Sequence, residues 1–251
     1  VRFLILSDVH ANWDALQAVL RHVRRKRYDR VVFLGDAVGY GASPNAVVGW
    51  LQGLGPGAVV VRGNHDRVCS GLESGDSFNR FAREASGWTL DRLDDRNLEF
   101  LRSLPEGPVE ISPRAAACHG SGFDEDAYIF SVYDAQQSFE SLPHDVVFFG
   151  HTHVPTLFSL QVEGGRTTLR ARLLSGSRTV VKIEPETRYL INPGSVGQPR
   201  DRDPRAAYAI YDEDGGKVYL YRVPYRAAEA RRRILQAGLP SVLGDRLLHG
   251  A

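Results

Sequence analysis

Five short apolar runs mark this 251-residue chain: Phe3–Leu6, Val31–Leu34, Ala58–Val61, Ala115–Cys118 and Val146–Phe149. A run this short and this apolar reads as a strand covered on both faces, the kind found in sheets sandwiched between other layers. Between the first two runs, Asn12 to Val23 places Ala15, Leu16, Val19, Leu20 and Val23 at helical spacing, with Asn12 as a candidate N-cap. Another helix-plus-strand unit comes next. Strand and helix in alternation predict an α/β fold with a parallel or mixed sheet.

The second half has a different texture. Residues 76–104 read as helical, ending near Pro105. Strands are expected at Thr156–Leu160, Thr167–Leu173, Thr179–Ile183, Tyr189–Ile191, Ala207–Tyr211 and Val218–Arg222. Glu163-Gly164-Gly165 and Asp214-Gly215-Gly216 are candidate hairpin turns. Arg226–Gln236 and Ser241–Leu248 read as helices. No linker or repeat divides the chain, so the expectation is a single domain over 1–251 with a helical tail from about residue 226.

Composition narrows the function classes. With 31 Lys+Arg against 30 Asp+Glu, net charge is +1, which gives no global basic field for nucleic acid, and 43% hydrophobic content excludes disorder as the main state. No apolar run approaches the roughly 20 residues of a membrane helix. Val1 to Ser7 is too short and too quickly polar for a signal peptide. Cys69 and Cys118 form no disulfide framework. A reducing cytoplasm is the expected compartment. The Arg-rich runs Arg21–Arg27 and Arg226–Arg233 lack interleaved aromatics for base stacking and read as a solvated helix end and a solvated helical face respectively.

The informative pattern lies just past the end of each buried run. Asp8 and His10 come after the first, Gly35-Asp36 after the second, Gly63-Asn64-His65-Asp66 after the third, His119 after the fourth and Gly150-His151-Thr152-His153 after the fifth. Ligands of open α/β sheets bind beyond the carboxyl ends of the strands. Any one of these pieces is a common surface or capping feature, but five strand ends carrying O and N donors form one constellation. On a continuing strand His151 and His153 would share a face. Two carboxylates, an amide oxygen and four imidazoles suit borderline divalent ions, and the missing cysteine cluster argues against structural zinc. A central carboxylate can bridge two ions set about 3.5–4 Å apart, the spacing that supports in-line phosphoryl displacement.

Asp8-x-His10, Gly35-Asp36, Gly63-Asn64-His65-Asp66, His119 and Gly150-His151-x-His153, in this order, resemble the motif set of the calcineurin-like metallophosphoesterases. Asn192-Pro193-Gly194-Ser195-Val196-Gly197-Gln198-Pro199-Arg200 resembles a loop of the bacterial members, extending the likeness to about residue 211. The resemblance implies two mixed β-sheets packed face to face with helices outside. It implies that Asp8, His10 and His153 hold one metal, that Asn64, His119 and His151 hold a second, and that Asp36 bridges them. His65 would act near the leaving oxygen, as general acid or phosphate ligand, and Asp66 would turn its loop or orient a ligand. The implied cofactors are two divalent transition-metal ions, Mn first among Mn, Fe, Zn and Co.

Protein phosphatases of this superfamily carry Gly-Asp-x-Val-Asp-Arg-Gly, where this chain has Gly35-Asp36-Ala37-Val38-Gly39-Tyr40-Gly41. Gly39 stands where a carboxylate would pair with the catalytic histidine, and Tyr40 where a guanidinium would clamp a dianionic phosphate. The change tilts the expectation toward phosphodiesters. Gly39-Tyr40-Gly41 followed by Ser43-Pro44-Asn45 is similar to a bacterial group described as diadenosine-tetraphosphatase-like. Arg200 is a candidate replacement clamp, against the alternative that it pairs with Asp201 or Asp203. Tyr40 and Asn79 are further candidate substrate contacts, against a packed aromatic and a helix-start polar residue. The cysteines are poor nucleophile candidates, since Cys118 should face away from His119.

The expected function is a dinuclear metal-dependent phosphoesterase that cleaves phosphodiester or nucleotide-type substrates by direct hydroxide attack, with Asp36 and His65 as the catalytic pair. The alternatives are a phosphomonoesterase or protein phosphatase, a dinucleotide pyrophosphate hydrolase, and a non-catalytic scaffold or nucleotide-binding protein. The scaffold alternative is weakened because the ligand set and His65 are all present.

Overall fold

In the computed structural model, which describes residues 1–251, twelve strands and eight α-helices follow one another as β1 (Arg2–Leu6), α1 (Trp13–Val23), β2 (Arg30–Phe33), α2 (Pro44–Gly53), β3 (Val59–Val60), α3 (Asn64–Cys69), α4 (Arg80–Leu90), α5 (Asp95–Arg102), β4 (Val109–Ser112), β5 (Ala115–Ala117), α6 (Val132–Ser141), β6 (Val146–Phe148), β7 (Thr156–Glu163), β8 (Arg166–Leu173), β9 (Arg178–Lys182), β10 (Thr187–Asn192), β11 (Ala206–Asp212), β12 (Lys217–Val223), α7 (Ala227–Gln236) and α8 (Ser241–His249). The strands form two six-stranded mixed sheets, ordered β3-β2-β1-β11-β12-β9 and β4-β5-β6-β10-β7-β8.

The apolar runs are continuous because each face of these strands has its own core. Along β1, Phe3 and Ile5 point between the sheets, where they join Val32, Leu34, Ala115, Ala117, Val146, Phe148 and Ile191. Leu4 and Leu6 point the other way and pack with Leu16, Val19, Val47, Val48 and Leu51 of the covering helices α1 and α2. On the second sheet, Ala116, Val147 and Leu190 face α6 through Ala135 and Phe139. Helix, sheet, sheet and helix thus stack as four layers. Roughly 1.5–3 kcal/mol for each fully buried large apolar side chain explains why no disulfide is required. Cys69 and Cys118 are free and buried.

Strand direction positions the site. β1, β2 and β3 are mutually parallel, as are β5, β6 and β10. Only parallel neighbours deliver successive carboxyl ends to one edge of a sheet. The remaining strands join antiparallel, β11 to β1 and β7 to β10.

Several local expectations need correction. The stretch 76–104 is two helices: Asn79 caps α4, and Asp94 restarts the chain as the cap of α5 after a turn at 91–93. The third strand is only Val59–Val60. Short β4 and helix α6 were not expected. Strand β6 stops at Phe148, and His151 and His153 lie beyond it in left-handed backbone, so they share no strand face. Both glycine turns occur: Gly164 and Gly165, at φ of 55° and 76°, form the two-residue link between β7 and β8 that a right-twisting hairpin favours.

Candidate metal centre

The loops after β1, β2, β3, β5 and β6 meet at one edge of the sandwich. They are cross-tied by main-chain bonds: Asp8 N–H donates to Gly35 C=O (3.0 Å), His10 N–H to Asp36 C=O (2.9 Å) and Gly150 N–H to His119 C=O (2.8 Å). The loop after β10 straps them from outside. Val196 and Gly197 donate to Ser7 and Asp8 carbonyls, Ser195 Oγ donates to Asp8 C=O at 2.7 Å, and Asn192 Nδ2 donates to Gly150 C=O at 2.6 Å. That explains the Asn192–Pro199 motif, whose role the sequence left open.

The backbone is strained where it holds the donors. Asp8, His10, Asp36, Tyr40, His151 and His153 all have φ between 48° and 64°, six of the nine non-glycine residues with positive φ in the chain. Such conformations cost of order 1–3 kcal/mol each and collect at functional sites. They hold the short donor side chains in convergence, which a relaxed strand end would not do.

Two groups of donors result. Asp8, His10, Asp36 and His153 each offer an atom within 4.8 Å of one another, and so do Asp36, His119 and His151, with Asp36 common to both. All six residues are buried. Asn64 joins the second group, its Oδ1 3.2 Å from His119 Nε2. All seven candidate donors are therefore brought together.

Hydrogen bonding shows what the first group suits. His10 Nδ1 lies 3.0 Å from Val38 C=O and His153 Nδ1 2.6 Å from Gln198 C=O. A carbonyl only accepts, so each Nδ1 carries a proton. Burial pushes the His10 pKa down to about 4 and that of His153 well below its ordinary value, so both rings are neutral. Their Nε2 atoms therefore turn lone pairs toward each other, 3.1 Å apart. Asp8 Oδ2 beside them is buried without a partner. A cation reconciles these atoms, and three imidazole or carboxylate ligands with Asp36 form a borderline-metal donor set. The residues fit a divalent ion.

The second group is arranged differently. His119 Nδ1 is 2.7 Å from Leu34 C=O, and its Nε2 faces Asn64 Oδ1 and Asp36 Oδ2 (3.4 Å). Burial works to lower its pKa, but the Asp36 charge and hydrogen bond overcome that and raise it to about 10. Asp36 answers in kind: burial works to raise it, while the charge and hydrogen bond of His119 hold it well below the carboxylate range. His151 donates Nε2–H to Asp126 C=O at 3.1 Å, which leaves Nδ1 for the cluster. Burial, then the His119 charge, lowers its pKa to about 3. Burial raises Asp8 to about 7.

Residues 1–216 match the model of the calcineurin-like phosphoesterase superfamily domain. The chain belongs to that superfamily. A metallophosphoesterase from Sphaerobacter thermophilus has the same fold, with a TM-score of 0.85 and 39% identity over 100% of this chain and 99% of that one. An uncharacterised protein of Methanocaldococcus jannaschii is 36% identical over 253 residues, covering 98% of this chain and 97% of that protein. A symmetrical bis(5'-nucleosyl)-tetraphosphatase of Psychromonas ingrahamii is 38% identical over 102 residues, covering 40% of this chain and 37% of its own length. The superfamily and these relatives make the chain a metal-binding phosphoesterase-type hydrolase, with its buried Asp/His cluster as the metal-binding region. No helix is long and apolar enough to cross a membrane.

The remaining candidates of this calcineurin-like chain divide. His65 stands beside the donors, its main-chain N–H donating to Asp36 Oδ1 at 2.9 Å and its ring packed against Tyr40, Phe78 and His10 at 4.4, 4.5 and 5.0 Å between centroids. Burial holds it neutral, and its Nδ1 has no partner. A Cβ at Gly39 would lie 2.5 Å from that Nδ1, and Gly39 takes φ +84°, so no side chain fits there. Asp66 is a tie between loops, accepting from Gly63 N–H (3.1 Å) and Val38 N–H (3.2 Å). Tyr40 is both packed and at the site.

Arg200 does not pair with Asp201 or Asp203. Arg222 takes Asp201, and Arg205 takes Asp203. Arg200 is left without a carboxylate partner, 3.0 Å from Gln198 Oε1, 5.9 Å from the Tyr40 ring centroid and close to the hydroxyls of Tyr40 and Tyr128. Asn79 is exposed, and its Oδ1 accepts from Phe81 and Ala82 N–H, both at 3.1 Å. Tyr128, which stacks on His151 at 3.9 Å, was not foreseen. The only advance signal was an aromatic-rich stretch between Phe123 and Tyr133.

Proposed function

We propose that the protein is a dinuclear metal-dependent phosphoesterase that favours phosphodiester or nucleotide-type substrates. The observation that carries this reading is the pair of buried donor groups sharing Asp36, with His65 and an unpaired Arg200 alongside. Asp8, His10 and His153 would hold one ion, Asn64, His119 and His151 the other, and Asp36 both. Bound ions supply Lewis-acid charge that activates water and neutralises the phosphoryl group. Mn is the first ion to test, before Fe, Zn and Co.

The chain's own groups do the rest. His65 stays neutral and turns Nδ1 to Gly39, so its proton sits on Nε2 for the phosphate or the leaving oxygen. Tyr40 and Phe78 hold that ring, replacing the carboxylate that Gly39 cannot supply. Arg200 contributes one guanidinium to the phosphate. A single cation matches the single charge of a diester, and the local likeness to a bis(5'-nucleosyl)-tetraphosphatase supports nucleotide-type substrates.

The test compares bis(p-nitrophenyl) phosphate with p-nitrophenyl phosphate, on protein stripped of metal and then given Mn. Metal-dependent, faster diester cleavage is expected. Monoester preference would favour the phosphomonoesterase reading, with Arg200 as its clamp. Two bound ions without turnover of either ester would sink the general esterase reading.

A further inference from the structure

The four most exposed aromatic side chains of the chain lie in one eleven-residue stretch: Phe123 (55%), Tyr128 (45%), Phe130 (64%) and Tyr133 (67%). Scattered exposed apolar residues are ordinary, but a concentration like this beside a reaction centre marks a contact surface. Its geometry is more specific than its composition. The rings of Tyr128 and Phe130 are parallel within 11°, with centroids 5.2 Å apart, and Tyr128 lies 3.9 Å from the His151 ring at 22°. An aromatic stair therefore leads from the metal donors to the surface.

The stair is held rigid. Residues 127–130 form no helix or strand, and the segment is extended enough that Ile129 points into the core while its neighbours stay out. Upstream, buried Glu125 pairs with Arg62 at 3.0 Å and with Arg67, and Asp126 pairs with Arg67 at 2.6 Å. Downstream, Asp134 Oδ2 accepts from Phe130 N–H (3.1 Å) and Ser131 N–H (2.8 Å) in the cap of α6. The Phe130 ring, and the part of Tyr128 left uncovered between Phe130 and His151, are thus presented to water by a segment anchored at both ends. Holding them there has no packing reward, whereas a flat ligand finds them already ordered. Arg200 lies close to the Tyr128 hydroxyl, so the surface is continuous with the cation expected to meet phosphate.

We propose that Tyr128 and Phe130 form a stacking shelf for the nucleobase of a nucleotide substrate whose phosphate lies at the metal centre. The proposal rests on the phosphoesterase reading and names the half of the substrate that is not phosphate. Stacking tolerates any base, since every base has a π-face, so the shelf selects nucleotides over alkyl esters without choosing among bases.

The test is binding of 1,N6-etheno-AMP to the Mn-supplied protein by fluorescence, with ribose 5-phosphate, which lacks the base, as competitor. Stacking quenches the etheno-adenine. The wild-type protein is expected to quench it on binding and to prefer it to ribose 5-phosphate by at least about tenfold, the size of one base–aromatic stack. Phe130→Ala should lose most of that preference while shifting ribose 5-phosphate less than twofold, and Phe130→Trp should restore it. Phe130 touches no metal donor and is well exposed, so these variants keep the fold. Equal affinity for the two ligands, or a preference unchanged in Phe130→Ala, overturns the shelf. Failure of the esterase reading looks different: Mn uptake and bis(p-nitrophenyl) phosphate turnover are then absent, whatever the etheno-AMP preference.

Discussion

The two donor groups around Asp36 each bring two histidines, with Asp8 in one and Asn64 in the other, and yet stand in different states of readiness. In the group of Asp8, His10 and His153, backbone carbonyls take both Nδ1 protons and aim two Nε2 lone pairs at the same point. In the group of Asn64, His119 and His151, the inward nitrogen of His119 is already engaged by Asp36 and Asn64, and the ring carries the proton that makes this an ion pair. The first half is arranged for a cation and frustrated without one. The second satisfies itself by protonation. Main-chain carbonyls reach Nδ1 of His10, His153 and His119 alike, and Asp36 Oδ2 stands nearly as far from His10 Nε2 (3.5 Å) as from His119 Nε2 (3.4 Å). The difference lies in what else each Nε2 meets: an acceptor oxygen of Asn64 for His119, and another lone pair, that of His153, for His10.

Asp36→Asn should have the largest effect because it strikes both halves. Metal content should fall toward zero and turnover by at least about 10²-fold, the cost of deleting one pre-placed electrostatic group. Elemental analysis beside an esterase assay measures both, and a fully active variant would break the shared-carboxylate picture. Next come single-half deletions in the metal-free protein. His119→Ala leaves Asp36 buried and unpaired, which should cost about 3 kcal/mol or more in urea unfolding. His153→Ala removes one of two opposed lone pairs and should cost clearly less. Equal losses would erase the distinction between the halves. The His119–Asp36 pair also has a pH signature. With a folded pKa raised to about 10, it stabilises fully below pH 6.5 and is lost as pH rises through 10. Thermal melts of the metal-free protein, wild type against His119→Ala, should converge at high pH.

Smaller effects sharpen the substrate side. Arg200→Ala should raise KM for a diester by about tenfold, the value of one charge-assisted hydrogen bond, with metal content unchanged. Gly39→Ala should lower turnover by pushing His65 aside and cost about 1 kcal/mol in stability through its positive φ, again with both metals retained. Asn79→Ala should be the mildest. It removes the cap of α4, costing about 1 kcal/mol in thermal unfolding, and should leave KM within twofold. A larger KM change would return Asn79 to the substrate contacts.

That these polar side chains would converge was legible because each follows closely on a buried run, and because parallel strands share an exit edge. The helices at 80–90 and 95–102 were harder to separate. Only the caps Asn79 and Asp94, used as caps, distinguish two helices from one. Residues 151–153 misled in another way. Local pattern favours a continuing strand, and the reversal into left-handed backbone is imposed by the ties to Asp8 and Gln198.

By itself, the sequence determined the alternation of buried strand and helix, the edge at which the ligands gather, and the absence of a carboxylate partner for His65, since each depends on side-chain type at short range. Tertiary structure alone decided the rest: that Asp201 goes to Arg222 and Asp203 to Arg205, leaving Arg200 to the site, that His119 meets Asp36 through Nε2, and that Tyr128 lands on His151. Apart from Asp203 and Arg205, those partners lie far apart along the chain, from 21 residues for Asp201 and Arg222 to 83 for Asp36 and His119. Which of several equivalent charges or rings meet across such gaps depends on how the two sheets pack, and no local pattern encodes it.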